Sequence, residues 1–295
     1  MCGIVGLFLK NESLQPQLGD LLSDMLITMT DRGPDSAGIA IYGQDADGVK
    51  LTLQSDTPET DFDGLEEALS GVTGAPVSVR VIDTHAVAVL PAGSETAARS
   101  YLVEKGIRVM GAGQAMEIFK EVGLPEDVAR RFDIRSMGGT HGIGHTRMAT
   151  ESAVTTLGAH PFSTDDDQCL VHNGSLSNHN RVGRALAQKG FAPQTENDTE
   201  VAACYISSRL AEGANLGTAL EGTLKDLDGF FTFVVGTKNG FGVVRDPIAC
   251  KPAVMAETED YVAFGSEYRA LATLPGIEGA KVWEPEPATV YFWER

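Results

Sequence analysis

A cysteine stands second in the chain, and an apolar run begins directly behind it: MCGIVGLF. A secretory leader would need basic residues, a longer apolar stretch and a small-residue cleavage site. Lys10, Asn11 and Glu12 arrive too early for that. The run predicts instead a short buried strand over Ile4 to Leu9, with Cys2 at its tip. Any fold for this chain must therefore place a thiol at the end of a buried strand.

The pattern that follows is mixed. Leu18, Leu21, Leu22, Met25, Leu26 and Met29 recur at three- and four-residue spacing, one face of a helix that Gly33 and Pro34 end. SAGIAIYG predicts a strand and GVKLTLQ its hairpin partner. From about 57 to 137 the texture changes to alternating elements. DFDGLEEALSGV predicts a short helix, VSVRVID and HAVAVLP strands, and SETAARSYLVEKG a serine-capped helix. IRVMG predicts another strand, and QAMEIFKEVGLPEDVARRF a helix broken at Pro125. THGIGHTR predicts a strand; NHNRVGRALAQKG, NDTEVAACYISSRLAEG and LGTALEGTLKDLDG predict helices. FFTFVVGT, FGVVRD, YVAFGS and ATVYFW predict strands, so layered sheets covered by helices are expected.

Charge removes some functions. A net charge of −18 leaves nothing to neutralise a phosphate backbone, so nucleic acid is not an expected partner. No apolar run approaches the 18 or so residues that span a bilayer, so no membrane partner is expected either. Cys169, Cys204 and Cys250 sit in apolar company and read as small buried hydrophobes. The four cysteines form no CxxC pair, which suggests a reducing, cytoplasmic setting.

Cys2 has two routes to activation. Six histidines could supply a base, but no spacing selects one of them. Alternatively, removal of Met1 would leave Cys2 with a free α-amine of pKa about 7.7–8.0 beside a thiol of pKa about 8.5. Nucleophile and base would then be one residue.

Seven stretches occur in one order: CGIVG, DRGPDSAG at 31–38, GHTRMAT at 144–150, HPF at 160–162, VHNGSLSN at 171–178, NDTE at 197–200 and RDPIACKP at 245–252. Each alone is a weak signal; the ordered set is specific. Together they resemble the class II glutamine amidotransferases, the N-terminal-nucleophile hydrolases. The resemblance covers most of the chain and thins across 57–137. It implies an α+β fold, a four-layer αββα sandwich over residues 1–295, with an α/β segment inserted at about 57–137. Cys2 would attack the side-chain amide of glutamine. The side-chain NH₂ of Asn173 and the backbone N–H of Gly174 would form the oxyanion hole. Arg147 would clamp the substrate α-carboxylate and Asp198 its α-ammonium. Thr150 and His160 would shape the pocket, and Arg32 would order the loop beside the nucleophile.

Plainer readings exist for single residues. HNG is a common turn, Asp198 a good helix N-cap, and Arg147 a candidate for a buried ion pair. Asp35 and Ser36 could simply close a turn. His141 and His145 lie four apart on a predicted strand, so no metal site is expected.

The long insertion and the RGPDSAG turn resemble the stand-alone amidotransferase subunits of glutamate-synthase-like complexes, those of the N-methylglutamate synthase type foremost, with a split glutamate synthase the near alternative. That resemblance implies no cofactor on this chain. It implies a flavin subunit carrying FMN and possibly an iron–sulfur cluster, a glycine-rich-domain subunit, and ammonia passed between polypeptides. Two other classes stay open: a non-catalytic module that senses glutamine or glutamate, and a scaffold that docks partners through 57–137.

Overall fold

The first strand shows how this sequence builds its layers. In β1 (Gly3–Leu9) every residue is buried. Val5, Leu7 and Leu9 belong to one apolar cluster, while Ile4 and Phe8 belong to another. Alternate side chains of a strand point to opposite faces, so β1 has cover on both sides and its sequence reads as a continuous apolar run.

The computed structural model describes residues 2–149 and 153–295. The remaining strands are β2 (Ser36–Tyr42), β3 (Val49–Gln54), β4 (Ser78–Ile82), β5 (His85–Leu90), β6 (Arg108–Gly113), β7 (Met116–Val122), β8 (His141–Arg147), β9 (Phe162–Asp165), β10 (Gln168–Leu176), β11 (Gly229–Thr237), β12 (Gly240–Arg245), β13 (Val254–Glu257), β14 (Tyr261–Gly265), β15 (Lys281–Trp283) and β16 (Thr289–Glu294). The α-helices are α1 (Leu18–Ile27), α2 (Pro58–Asp61), α3 (Leu65–Thr73), α4 (Glu95–Lys105), α5 (Pro125–Arg131), α6 (His179–Gln188), α7 (Asp198–Ala211), α8 (Leu216–Asp226) and α9 (Tyr268–Leu271).

A seven-stranded sheet runs β15-β13-β14-β1-β8-β2-β7, and a five-stranded sheet runs β16-β12-β11-β10-β9. Ile4, Phe8 and Ile143 of the first sheet meet Val171, Val234 and Phe241 of the second in one buried cluster. Leu22, Met25 and Leu26 of α1 and Val128 of α5 cover the outer face of the first sheet. Val201, Ala202 and Leu220 of α7 and α8 cover the outer face of the second. Each fully buried Leu, Ile or Phe contributes about 1.5–3 kcal/mol relative to exposure. The result is the expected αββα sandwich.

A third sheet, β4-β5-β3-β6, holds its own apolar cluster with Leu65 and Leu69 of α3 and Leu102 of α4. It is assembled from residues 49–113. Within the 57–137 stretch, β7 returns to the seven-stranded sheet beside β2.

Several expectations need correction. β3 is not the hairpin partner of β2. Both edges of β2 are taken by β7 and β8, and β3 pairs with β5 and β6 instead. QAMEIFKEV is not helical. Met116–Val122 is a strand, and Pro125 opens the helix α5 as its first residue. The side chain of Ser94 makes no cap bond to α4; its hydroxyl donates to the carbonyl of Pro91 at 2.6 Å. Cys250 is exposed, unlike Cys169 and Cys204.

Candidate active site

Cys2 stands where the two central sheets meet. It precedes β1, which lies between β14 and β8. Asn173 lies on β10, between β11 and β9 in the other sheet. The amide Nδ2 of Asn173 donates to the carbonyl oxygen of Cys2 at 3.1 Å. Nε of Arg32 donates to the same oxygen at 2.9 Å. Arg32 is buried in the turn Thr30–Arg32, and its Nη1 lies 2.6 Å from Glu267. Its contact is thus to the backbone of Cys2. The Cys2 thiol is half-buried and lies 4.0 Å from the carbonyl of Met148.

In front of Cys2 is a cavity of about 310 Å³. The end of β8 brings Arg147, followed by Met148 and Ala149; β10 brings His172, Asn173 and Gly174; the start of α7 brings Asp198 and Thr199. His160, Asn197 and Lys251 complete the lining. Of the sequence-predicted residues, Cys2, Asn173, Gly174, Arg147, His160 and Asp198 share this one cavity. Arg32 is not in the lining, and Thr150 lies outside the described residues.

Backbone geometry explains two of these positions. Gly174 has φ +154°, and a Cβ there would collide with the carbonyl oxygen of Phe230 and stand 2.7 Å from His172 Nε2. Only glycine lets β10 pass so close to β11. Asn197, not Asp198, caps α7: its side chain accepts from the Thr199 N–H at 2.9 Å. That leaves the Asp198 carboxylate to accept from the Leu176 N–H at 2.8 Å, with its other oxygen 3.7 Å from His172 Nδ1. The lip of the cavity is tied to the RGPDS turn, because the Ala149 N–H donates to Asp35 at 2.7 Å.

The cavity lining carries charges of both signs. Burial pushes the Asp198 carboxyl up, but His172, the Leu176 N–H and His179 outweigh it and hold its pKa below the ordinary value. Asp198 is therefore ionised at neutral pH, facing a lining that contains the cations Arg147 and Lys251. The histidines behave differently. His145 and His160 stack at 4.0 Å, and Thr199 Oγ1 lies 2.8 Å from His160 Nε2 and 3.1 Å from His172 Nδ1. Burial drives His145 down to about 3 and His160 well below its ordinary value. Such rings stay neutral at pH 7 and are poor bases for a thiol.

His172, Thr199 and Lys251 were not singled out from the sequence. Each lies inside a stretch that was: VHNG, NDTE and RDPIACKP. Among the described residues, no three His, Cys, Asp or Glu side chains group to hold a metal ion, and no helix is long and apolar enough to cross a membrane.

A glutamine amidotransferase domain model matches residues 145–273. The glutamine amidotransferase-like protein GlxB of Rhizobium meliloti (strain 1021) is 68% identical over 297 residues, covering 100% of this chain and 98% of GlxB. A Methanothermobacter thermautotrophicus protein is 33% identical over 305 residues, covering 99% of either chain. The chain also superposes on the glutamine phosphoribosylpyrophosphate amidotransferase of B. subtilis with a TM-score of 0.63 and on an allosteric regulatory enzyme of purine biosynthesis with 0.65. It spans 47% of each of those chains, and at 19% identity the likeness is one of fold. The chain belongs to the class II glutamine amidotransferases.

Proposed function

We propose that this chain hydrolyses the side-chain amide of glutamine through a thioester on Cys2. One observation carries the reading: a thiol, an amide donor, a glycine N–H, cations and an ionised carboxylate converge on one cavity from separate elements. Opposed charges suit a zwitterionic α-amino acid, with Arg147 at its carboxylate and Asp198 at its ammonium. One N–H of Asn173 is used on the Cys2 carbonyl, and the second is left for the oxyanion with the N–H of Gly174. Because burial keeps His145 and His160 neutral, the base is the α-amine that removal of Met1 would expose on Cys2.

The thiolate adds to the amide carbon, the tetrahedral oxyanion forms, and collapse expels ammonia as it takes a proton from the α-ammonium. Water then attacks the thioester and releases glutamate. The ordered motifs support an assignment to an N-methylglutamate synthase type of complex, in which a flavin subunit and a glycine-rich-domain subunit receive the ammonia. A split glutamate synthase is the second assignment.

A glutamine analogue with an electrophilic side chain tests the chemistry. It should add its mass to the N-terminal peptide alone. Labelling that persists in Cys2→Ser overturns the nucleophile, and an N-terminus that keeps Met1 while activity is full overturns the α-amine. Purification of the native complex, with its cofactor spectrum, tests the partner assignment.

A further inference from the structure

The Cys2 cavity is not alone among the described residues in being lined by cations. Between α6, α7 and α8 lies a cavity of about 410 Å³. Its rim carries Arg181, Lys189, Arg209 and Lys225, with Asp226 the one carboxylate in the lining. This is unusual for a chain with 41 acidic residues against 23 basic ones. We propose that this cavity is a second ligand site, built for a small, multiply charged anion with an apolar body.

Two of the four cations are not consumed internally. Lys189 and Arg209 share Glu212 at 2.7 and 2.9 Å. Lys189 and Glu212 are exposed and Arg209 is half-buried, and such surface pairs are weak. Arg181 and Lys225 pair with no carboxylate among the described residues. Asp226 already accepts the Tyr205 hydroxyl at 2.5 Å. The buried Nε of Arg209 has no hydrogen-bond partner.

Helix dipoles offer an ordinary explanation for some of these charges. Arg209 is in the last turn of α7, Lys225 in the last turn of α8, and Lys189 just past α6, where cations are favoured. Arg181 breaks the pattern. It sits in the first turn of α6, at the positive end of that helix, and has no acidic partner to hold it there. An anion bound between the three helices accounts for Arg181 and for the gathering of all four cations on one hollow.

The rest of the lining sets the class of ligand. Val182, Ala185 and Leu186 form an apolar wall. The volume is that of a metabolite pocket. Two guanidinium forks and two ammonium groups suit phosphate esters or polycarboxylates. The site is separate from the Cys2 cavity. Thr199 lines that cavity, and Arg209 lies ten residues further along the same helix, about 15 Å away.

The test is calorimetry on the full chain at about 0.15 M salt, where loose surface attraction is screened. Pyrophosphate and citrate are the two probes, one for each source of charge. At least one should bind with a dissociation constant of about 1 mM or tighter. The exposed-residue double variant Arg181→Gln, Lys225→Gln should weaken it by about tenfold or more, while Lys251→Gln, in the Cys2 cavity, should leave it unchanged. Unchanged binding in the double variant overturns the site. So does loss of binding in Lys251→Gln, which would place the anion on Cys2's side, and so does the absence of heat from both probes.

Discussion

The side-chain amide of Asn173 donates to the carbonyl oxygen of Cys2 across 171 positions of sequence, joining β10 of one sheet to the residue that precedes the central strand β1 of the other. The bond fixes the nucleophile's backbone against the strand that carries the proposed oxyanion donors. Asn173 thus has two tasks in the proposed mechanism: it aims Cys2 and it donates to the developing charge.

Asn173→Ala is expected to lower kcat by about 10²–10³, the usual cost of one lost oxyanion donor. Glutamine KM should move much less, because neither task concerns the substrate's charged end. The check is steady-state ammonia release. A variant with kcat near that of the wild type removes Asn173 from the oxyanion hole.

Gly174→Ala should be harsher. The φ of +154° and the collision with the Phe230 carbonyl leave no room for a Cβ. The strand must shift off β11, taking the Gly174 N–H and His172 with it. We expect a lower melting temperature together with lost activity. A crystal structure with β10 in its original register, and unimpaired turnover, would contradict this.

Lys120 connects β7 to the segment that carries His160. Its buried ammonium donates to the carbonyls of Ala159 at 2.8 Å, Pro161 at 3.1 Å and Leu157 at 3.4 Å. Burial lowers its pKa to about 7, against 10.5 when unfolded. Below pH 7 both states are protonated. Between 7 and 10.5 the unfolded chain holds a proton that the native one has released, so this residue makes stability rise with pH across that window. In Lys120→Met that contribution should vanish, by up to about 1.4 kcal/mol per pH unit, while glutamine affinity weakens as the segment loses its anchor. Urea titrations of both proteins at pH 7.5 and 9.5 make the comparison. Identical pH slopes would sink the idea.

The same residue shows where the sequence stops being readable. Layered sheets covered by helices were legible, because β1 and β11 are apolar runs and α1, α7 and α8 carry apolar stripes, while the four-layer order came from the family resemblance. The strand β7 was not legible. Met116 and Phe119 have helical spacing, and the charges of Lys120 and Glu121 mimic a solvated helix face. Both are in fact buried. What makes the segment a strand is distant. The Asp167 carboxylate accepts the N–H groups of Gln114, Ala115 and Met116 at 2.7, 2.8 and 2.8 Å and turns the chain from β6 into β7. No local pattern encodes that contact. The site was legible as ordered motifs, but the partners of those residues were not. The Asn197 cap, the Thr199 bridge between His160 and His172, and Lys251 at the rim all depend on which loops meet in space.

His85 is fully buried, edge-on to Phe132 at 4.7 Å, and is not part of the Cys2 cavity lining. Burial lowers its pKa to about 3. The native ring is therefore neutral where the unfolded one is charged, from pH 6.5 down to about 3, and stability is lost as pH falls through that window. Replacing it with Leu should remove one proton from the linkage and flatten the acid limb by about 1.4 kcal/mol per pH unit. Denaturant midpoints at pH 6.5 and 4.5 measure it. An unchanged slope would show that His85 is protonated in the fold.

Asp198 gives the sharpest test of substrate recognition. Its carboxylate accepts the Leu176 N–H, and an asparagine oxygen can keep that bond. Asp198→Asn therefore removes the charge and spares the local geometry. If the carboxylate holds the α-ammonium of glutamine, binding should weaken by about 2–5 kcal/mol, with much of that being the penalty of an unpaired buried charge. A glutamine analogue lacking the α-amine separates this from a structural defect: it should bind wild type and variant alike. The pH behaviour follows from the same group. The Asp198 pKa lies below the ordinary carboxylate value, so glutamine binding should hold as pH falls from 7 and weaken only once that carboxyl takes up its proton. Equal losses for glutamine and for the analogue would mean that Asp198 only braces β10, and the ammonium would have to be held elsewhere in the cavity.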